Sequence, residues 1–230
     1  MQPNLQTTSQ LTSTGGLTQN RVLRNTYALL GVTMIPTVIG AFIGTNLSFS
    51  FMRASPIMSS LILLAMLYGM MFAIEKNKNS SVGVYLLLGF TLFMGIILGP
   101  LLQVALSFRN GAQLIAVAGG GTGITFLALA AFSATTKRDL SGLSRFLFVG
   151  AIVLMIAVVA NIFLQMPALQ LALSAAFILF SSLIIAYTIN SIVHGGETNY
   201  ISATLSIYIS IYNIFSNLLN LLLVLTGNRN

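Results

Sequence analysis

The chain has 230 residues, 56% of them hydrophobic and 6% charged, with a mean hydropathy of +0.93; a water-soluble domain carries about 25% charged residues, so there is too little charge here to cover a solvated surface. Ten Lys and Arg against three Asp and Glu give a formal charge of +7, but the cations are scattered and form no basic stripe interleaved with aromatics, so nucleic acid is excluded as a partner. Cysteine is absent, which excludes disulfides, thiol chemistry and thiolate-held metals.

Residues 1 to 20 are polar, uncharged and rich in Gln, Thr, Ser and Gly. A segment so poor in apolar side chains cannot offset its ordering entropy by burial, and it is read as a disordered tail ahead of one domain, 21 to 230. It lacks the basic start and apolar core of a cleavable signal. The first apolar run begins after Arg21 and Arg24, as a retained span.

A charge at the centre of a bilayer is costly, so spans are found as uncharged stretches of about 20 residues. Arg24, Arg53, Glu75, Lys78, Arg109 and Lys137 bound stretches that each hold one, predicting helices over 26–45, 56–74, 82–106 and 113–134, and a fifth helix covers 143–163. The 51 residues between Arg145 and Glu197 hold two, with Asn161, Gln165 and Pro167 at the turn, so that a sixth helix covers 168–190. A seventh covers 200–226. The expected fold is thus all-α, a polytopic integral membrane bundle of seven transmembrane helices; six crossings with a re-entrant hairpin in the long uncharged stretch are the alternative. With the N-terminus in the cytoplasm, Arg21, Arg24, Lys76, Lys78, Lys137, Arg138 and Arg145 lie inside and Arg53, Arg109 and Arg229 outside, as the positive-inside rule requires. The C-terminus then lies on the outer side.

Within the spans, Gly40 and Gly44, Gly95 and Gly99, and Gly119 and Gly123 stand at the spacing that lets helix backbones approach closely. They predict a compact bundle, with a weak contact between copies as the lesser reading. Pro36 and Pro100 should kink the first and third helices. On the seventh, Ser202, Ser206, Ser210, Asn213, Asn217 and Asn220 fall on one face; Ser174, Ser181 and Thr188 recur every seven residues on the sixth. Thr188, Ser206, Ser210, Asn213 and Asn217 therefore mark a candidate polar seam. Hydrogen bonding between helices is favoured over an ion path, because the stripe holds no ionisable group.

Asn161 and Gln165 read as caps of the turn through Pro167, and His194 as a loop residue with no second ligand for a metal. Lys137, Arg138 and Asp139, with His194 and Glu197, sit in inner loops as candidate contacts for a partner. No zincin, nucleophile-elbow or phosphate-loop motif is present, and all three acids lie in loops. No catalytic, cofactor-binding or metal-binding residue is assigned.

Six segments carry a resemblance: Asn25-Thr26-Tyr27, Leu98-Gly99-Pro100, Thr135 to Leu140 (TTKRDL), Asn161 to Leu169 (NIFLQMPAL), His194 to Tyr200 (HGGETNY) and Tyr208 to Phe215 (YISIYNIF). On these, from about residue 21 to 225, the chain resembles the Bax inhibitor family of seven-span proteins, and within it the bacterial inner-membrane branch that modulates the FtsH protease. The resemblance implies an inhibitor and slow substrate of that ATP-dependent protease, with HflK and HflC as companions and the lipid bilayer as solvent. The cytoplasmic tail would be the loose end that such a protease grips. The wider family is associated with a pH-sensitive calcium leak through two facing acids; the matching positions here are Thr188, after Tyr187, and Ser210, and the second span is uncharged from Ala54 to Ile74. A cation or proton leak working without that sensor is the alternative function.

Overall fold

The computed structural model describes residues 5–50 and 55–227, with side chains from residue 19 onward except at 56, 57 and 162. Arg53 and Arg229, two of the three charges assigned to the outer side, lie outside the described residues, as do the first four residues of the tail.

Every described element is helical: α1 (Leu5–Asn46), α2 (Pro56–Lys76), α3 (Ser81–Ile97), α4 (Gly99–Ser107), α5 (Gly111–Thr135), α6 (Leu143–Leu164), α7 (Pro167–Val193) and α8 (Tyr200–Gly227). Among the described residues seven stretches are long and apolar enough to cross a membrane, with α3 and α4 forming one of them. The protein is an all-α, seven-span membrane bundle. The long uncharged stretch contains two full helices, α6 and α7, and no re-entrant hairpin.

Helix ends agree with the charge-derived boundaries to within a few residues, except at the start. There the helical backbone of α1 reaches back to Leu5 and its membrane-length stretch begins at Gln19. The two prolines differ in effect. Pro100 falls at the start of α4, and the third span is divided at Leu98, whereas α1 continues as helix through Pro36. Gln165 closes α6 in the left-handed region at φ 48°, its N–H donating to the Asn161 carbonyl at 2.8 Å.

α8 is the axis of the bundle. Ile201 through Leu205, Ile207 and Tyr208 are all buried, and a helix buried on every side must be enclosed by others. It packs against α1, α2, α3, α4, α5 and α7, while α6, among the described residues, packs on α7 alone. Accordingly Phe146, Phe148, Ile152, Ile156 and Phe163 of α6 are exposed, apolar side chains that lipid, not water, must cover.

α1 lies against α3 and α4 through the glycines. A Cβ on Gly40 would fall on the Leu92 carbonyl oxygen, one on Gly95 on that of Thr37, and one on Gly99 on that of Gly44. The third pair behaves differently: a Cβ on Gly123 would meet nothing within 4 Å, and one on Gly119 only the edge of Phe215 at 3.9 Å. Two of the three glycine pairs therefore pack helix on helix, and the third faces open space.

Candidate functional site

The polar stripes of α7 and α8 face each other. Thr188 Oγ1 and Ser206 Oγ share a hydrogen bond of 3.2 Å, and Asn220 Nδ2 donates to Ser174 Oγ at 3.2 Å. Each pair is separated from the other by 14 residues on both helices, so the antiparallel register holds over four turns, with Ser181 opposite Asn213 between them. Ser210, 1% exposed, donates back to the Ser206 carbonyl at 2.9 Å, and Asn217 Nδ2 to the Asn213 carbonyl at 2.8 Å. Thr188 and Ser210, the positions where the resemblance implies acids, thus both engage Ser206. Thr188, Ser206, Ser210, Asn217 and Asn220 are thus used in bonds within and between helices, and Asn213 takes part through its backbone carbonyl.

At the far end of α8 from Gly227, three loops gather. Ser202 Oγ donates to Glu75 Oε2 at 3.0 Å, and the same carboxylate oxygen pairs with Lys78 Nζ at 3.1 Å. Asn199 caps α8, its Oδ1 accepting from the N–H groups of Ile201 and Ser202 at 2.9 and 3.2 Å, a placement that satisfies donors otherwise orphaned at a helix start. Its Nδ2 donates to the Lys78 carbonyl and to Asn79 Oδ1, and its own N–H donates to Glu197 Oε1 at 2.7 Å. Glu197 therefore orders its own loop.

Lys137, Arg138 and Asp139 are exposed, but the backbone carrying them is clamped. Asn190, 1% exposed, accepts from the Leu140 N–H at 2.8 Å and donates to the Arg138 carbonyl at 2.9 Å. His194 Nδ1 lies 2.9 Å from the Asn190 carbonyl, and Gly195 follows at φ +77°. Asp139 accepts from Ser141 N–H and Ser141 Oγ; these bonds hold its carboxyl below the usual carboxylate range, and the charge of His194 adds to the effect. Gln19 of α1 lies beside Gly195. The loops holding Lys78, Arg138 and His194 form one face, where α1 also enters the bundle.

Asn190, Asn199, Gln103 and Tyr208 were not singled out from the sequence. The signal for the amides is elementary: an uncharged polar group near the end of an apolar span must find a partner there. Gln103 Nε2 collects the carbonyls of Gly44, Thr45 and Leu47 at 3.1, 3.1 and 2.8 Å, satisfying the end of α1. Tyr208 crosses the core, 2.9 Å from Thr37 Oγ1 and 3.3 Å from the Thr91 carbonyl, edge-on to Phe90. Asn161 leaves its Oδ1 buried without a partner.

Among the described residues no three His, Asp or Glu side chains converge as a metal site. Fold and site together define a polytopic helical membrane protein whose polar groups tie helices and loops to one another. A model of the family described as "Inhibitor of apoptosis-promoting Bax1" matches residues 19–229, and the chain belongs to this Bax inhibitor family. It is 46% identical over 206 residues to the "Modulator of FtsH protease YccA" of Escherichia coli K12, covering 90% of this chain and 91% of that one. An uncharacterized protein of Neisseria meningitidis serogroup A is 47% identical over 213 residues, 92% of this chain and 94% of its own. An uncharacterized membrane protein of Vibrio cholerae is 38% identical over 226 residues, 98% of each.

Proposed function

We propose that this chain is a regulator, not an enzyme: an inner-membrane modulator of an FtsH-type ATP-dependent protease, acting as inhibitor and slow substrate. The observation that carries the reading is the 46% identity, spread over nine-tenths of both chains, to a protein named for that role. In this reading the N-terminus is cytoplasmic, the C-terminus periplasmic, and the protease complex includes HflK and HflC. Residues 1–20, uncharged and holding only three leucines, are the end that the protease engages.

The packing of α1 supports a braking mechanism. A protease pulling from the N-terminus must first extract α1. That helix is held along its length by the Thr204 hydroxyl on the Thr26 carbonyl, by Thr37 with Tyr208, by the glycine contacts and by Gln103 at its end. In lipid, where water cannot replace a broken bond, such contacts resist extraction. The protease is then occupied by a substrate that yields slowly. Lys137, Arg138, Asp139, His194 and Glu197, on the face where α1 enters, are proposed as the surface that meets the protease.

Deleting residues 2–20 tests the reading. Turnover of other substrates of the protease should return to the rate without the modulator, while the truncated bundle still inserts. Unchanged inhibition by the truncated chain would remove the tail from the mechanism.

A further inference from the structure

The backbones of α1 and α5 stand apart, bridged by the Tyr27 and Phe126 rings, edge-on with centroids 6.2 Å apart, and beside that bridge the space between the two helices is a groove of about 980 Å³ floored by α8. It runs from Tyr27 to Ala41 along α1 and from Ala134 to Ile115 along α5. At 1.5 Å per residue, the α1 side is about 21 Å long. Gly31, Gly119 and Gly123 line it, and a Cβ on Gly31 or Gly123 would meet nothing within 4 Å, so these glycines widen the groove without closing a helix contact. Two polar groups near its floor are turned away: the Tyr208 hydroxyl engages Thr37 and the Thr91 carbonyl, and the Thr122 hydroxyl bonds its own helix at Ala118.

Both walls are membrane-spanning helices, so the groove opens sideways into the hydrocarbon of the bilayer. One leaflet of that hydrocarbon is about 15 Å thick, which an acyl chain lying along the groove spans with room to spare. Charge settles which lipid. Arg24 stands three residues beyond Tyr27, and Lys137 three residues beyond Ala134, at the same end of the groove. Both are exposed, and among the described residues the ion pair formed is Lys78 with Glu75. Asp139, the nearest acid in sequence to Lys137, is occupied by Ser141. Two uncompensated cations at the headgroup level of one leaflet attract an anionic phosphate.

We infer that the groove between α1 and α5 is a binding site for an anionic phospholipid, one acyl chain lying along Gly31, Gly119 and Gly123 and the phosphate between Arg24 and Lys137. The inference depends on the fold alone and stands whether or not the chain engages a protease.

The wild-type protein, reconstituted with phosphatidylglycerol carrying a photoreactive group in its acyl chain, provides the first test. Crosslinks mapped by mass spectrometry should concentrate on groove residues such as Met34 and Phe126, over the outer face of α6 at Phe148 and Ile152. In detergent, native mass spectrometry should find phosphatidylglycerol retained in preference to phosphatidylcholine. Gly31→Leu with Gly123→Leu should lose the retained lipid, and Arg24→Gln with Lys137→Gln should lose the preference while keeping a chain bound. Crosslinks spread evenly over all lipid-facing helices would reduce the groove to ordinary bilayer contact and overturn the proposal. So would retention unchanged in the filled variant, or a filled variant that loses a protein partner while holding its lipid.

Discussion

Gly95 of α3 lies against Thr37 of α1 so closely that any side chain on the glycine would occupy the position of the threonine's carbonyl oxygen. Because the obstacle is backbone, a neighbouring rotamer cannot relieve it, and one helix must move. Gly95→Ala, and equally Gly40→Ala against the Leu92 carbonyl, should destabilise the bundle by about 1–3 kcal/mol. Gly123→Ala, into open space, should cost nothing beyond experimental scatter. Unfolding of the purified variants in mixed micelles checks the difference. If slow extraction is what brakes the protease, Gly95→Ala should also be degraded faster in the cell than Gly123→Ala.

Asn190 binds the turn at 138–140 to α7 through two hydrogen bonds. Asn190→Leu leaves the Leu140 N–H and the Arg138 carbonyl without their partner, at a cost of about 1–3 kcal/mol. Limited proteolysis at Lys137 and Arg138 should accelerate. Asn190→Asp keeps an acceptor for Leu140 but loses the donor to Arg138, and should fall between the two.

The α7–α8 seam should behave as glue. Thr188→Val and Ser206→Ala should each cost about 0.6 kcal/mol, and the double variant should cost less than the sum, because both remove one bond. Proteoliposomes containing the wild-type protein should be as tight to cations and protons as lipid alone. A flux that disappears in Asn213→Leu and Asn217→Leu would instead establish the leak.

Asp139 gives a pH dependence of defined sign. Its folded carboxyl titrates below the usual range, so the stabilisation from its bonds to Ser141 is complete above the unfolded value of about 3.9 and is lost as pH falls through the lower, folded value. Near neutral pH, exchange protection of the Ser141 amide should not vary beyond the intrinsic pH effect. In acid it should fall, and Asp139→Asn should abolish that fall. A loop that loosens between pH 6 and 8 would contradict this assignment.

Much of this protein was legible before any coordinates. Lipid excludes charge and unpaired backbone alike, so the positions of Arg24, Arg53, Glu75, Lys78, Arg109, Lys137, Arg145 and Glu197 along the chain determined seven crossings and nearly all of their ends. Helical periodicity alone put the six polar residues of α8 on one face. What periodicity cannot supply is the neighbour. Gly40, Gly95 and Gly123 are the same residue in similar apolar settings, yet two are closed against another helix and one is open; only the placement of α1 against α3, and apart from α5, separates them. The same holds for Asn190 with Arg138 and for Gln103 with the end of α1, pairs that lie 52 and 56 to 59 residues apart. Sequence states that each buried amide needs a partner, because hydrocarbon offers none, while the tertiary fold decides which carbonyl comes within reach.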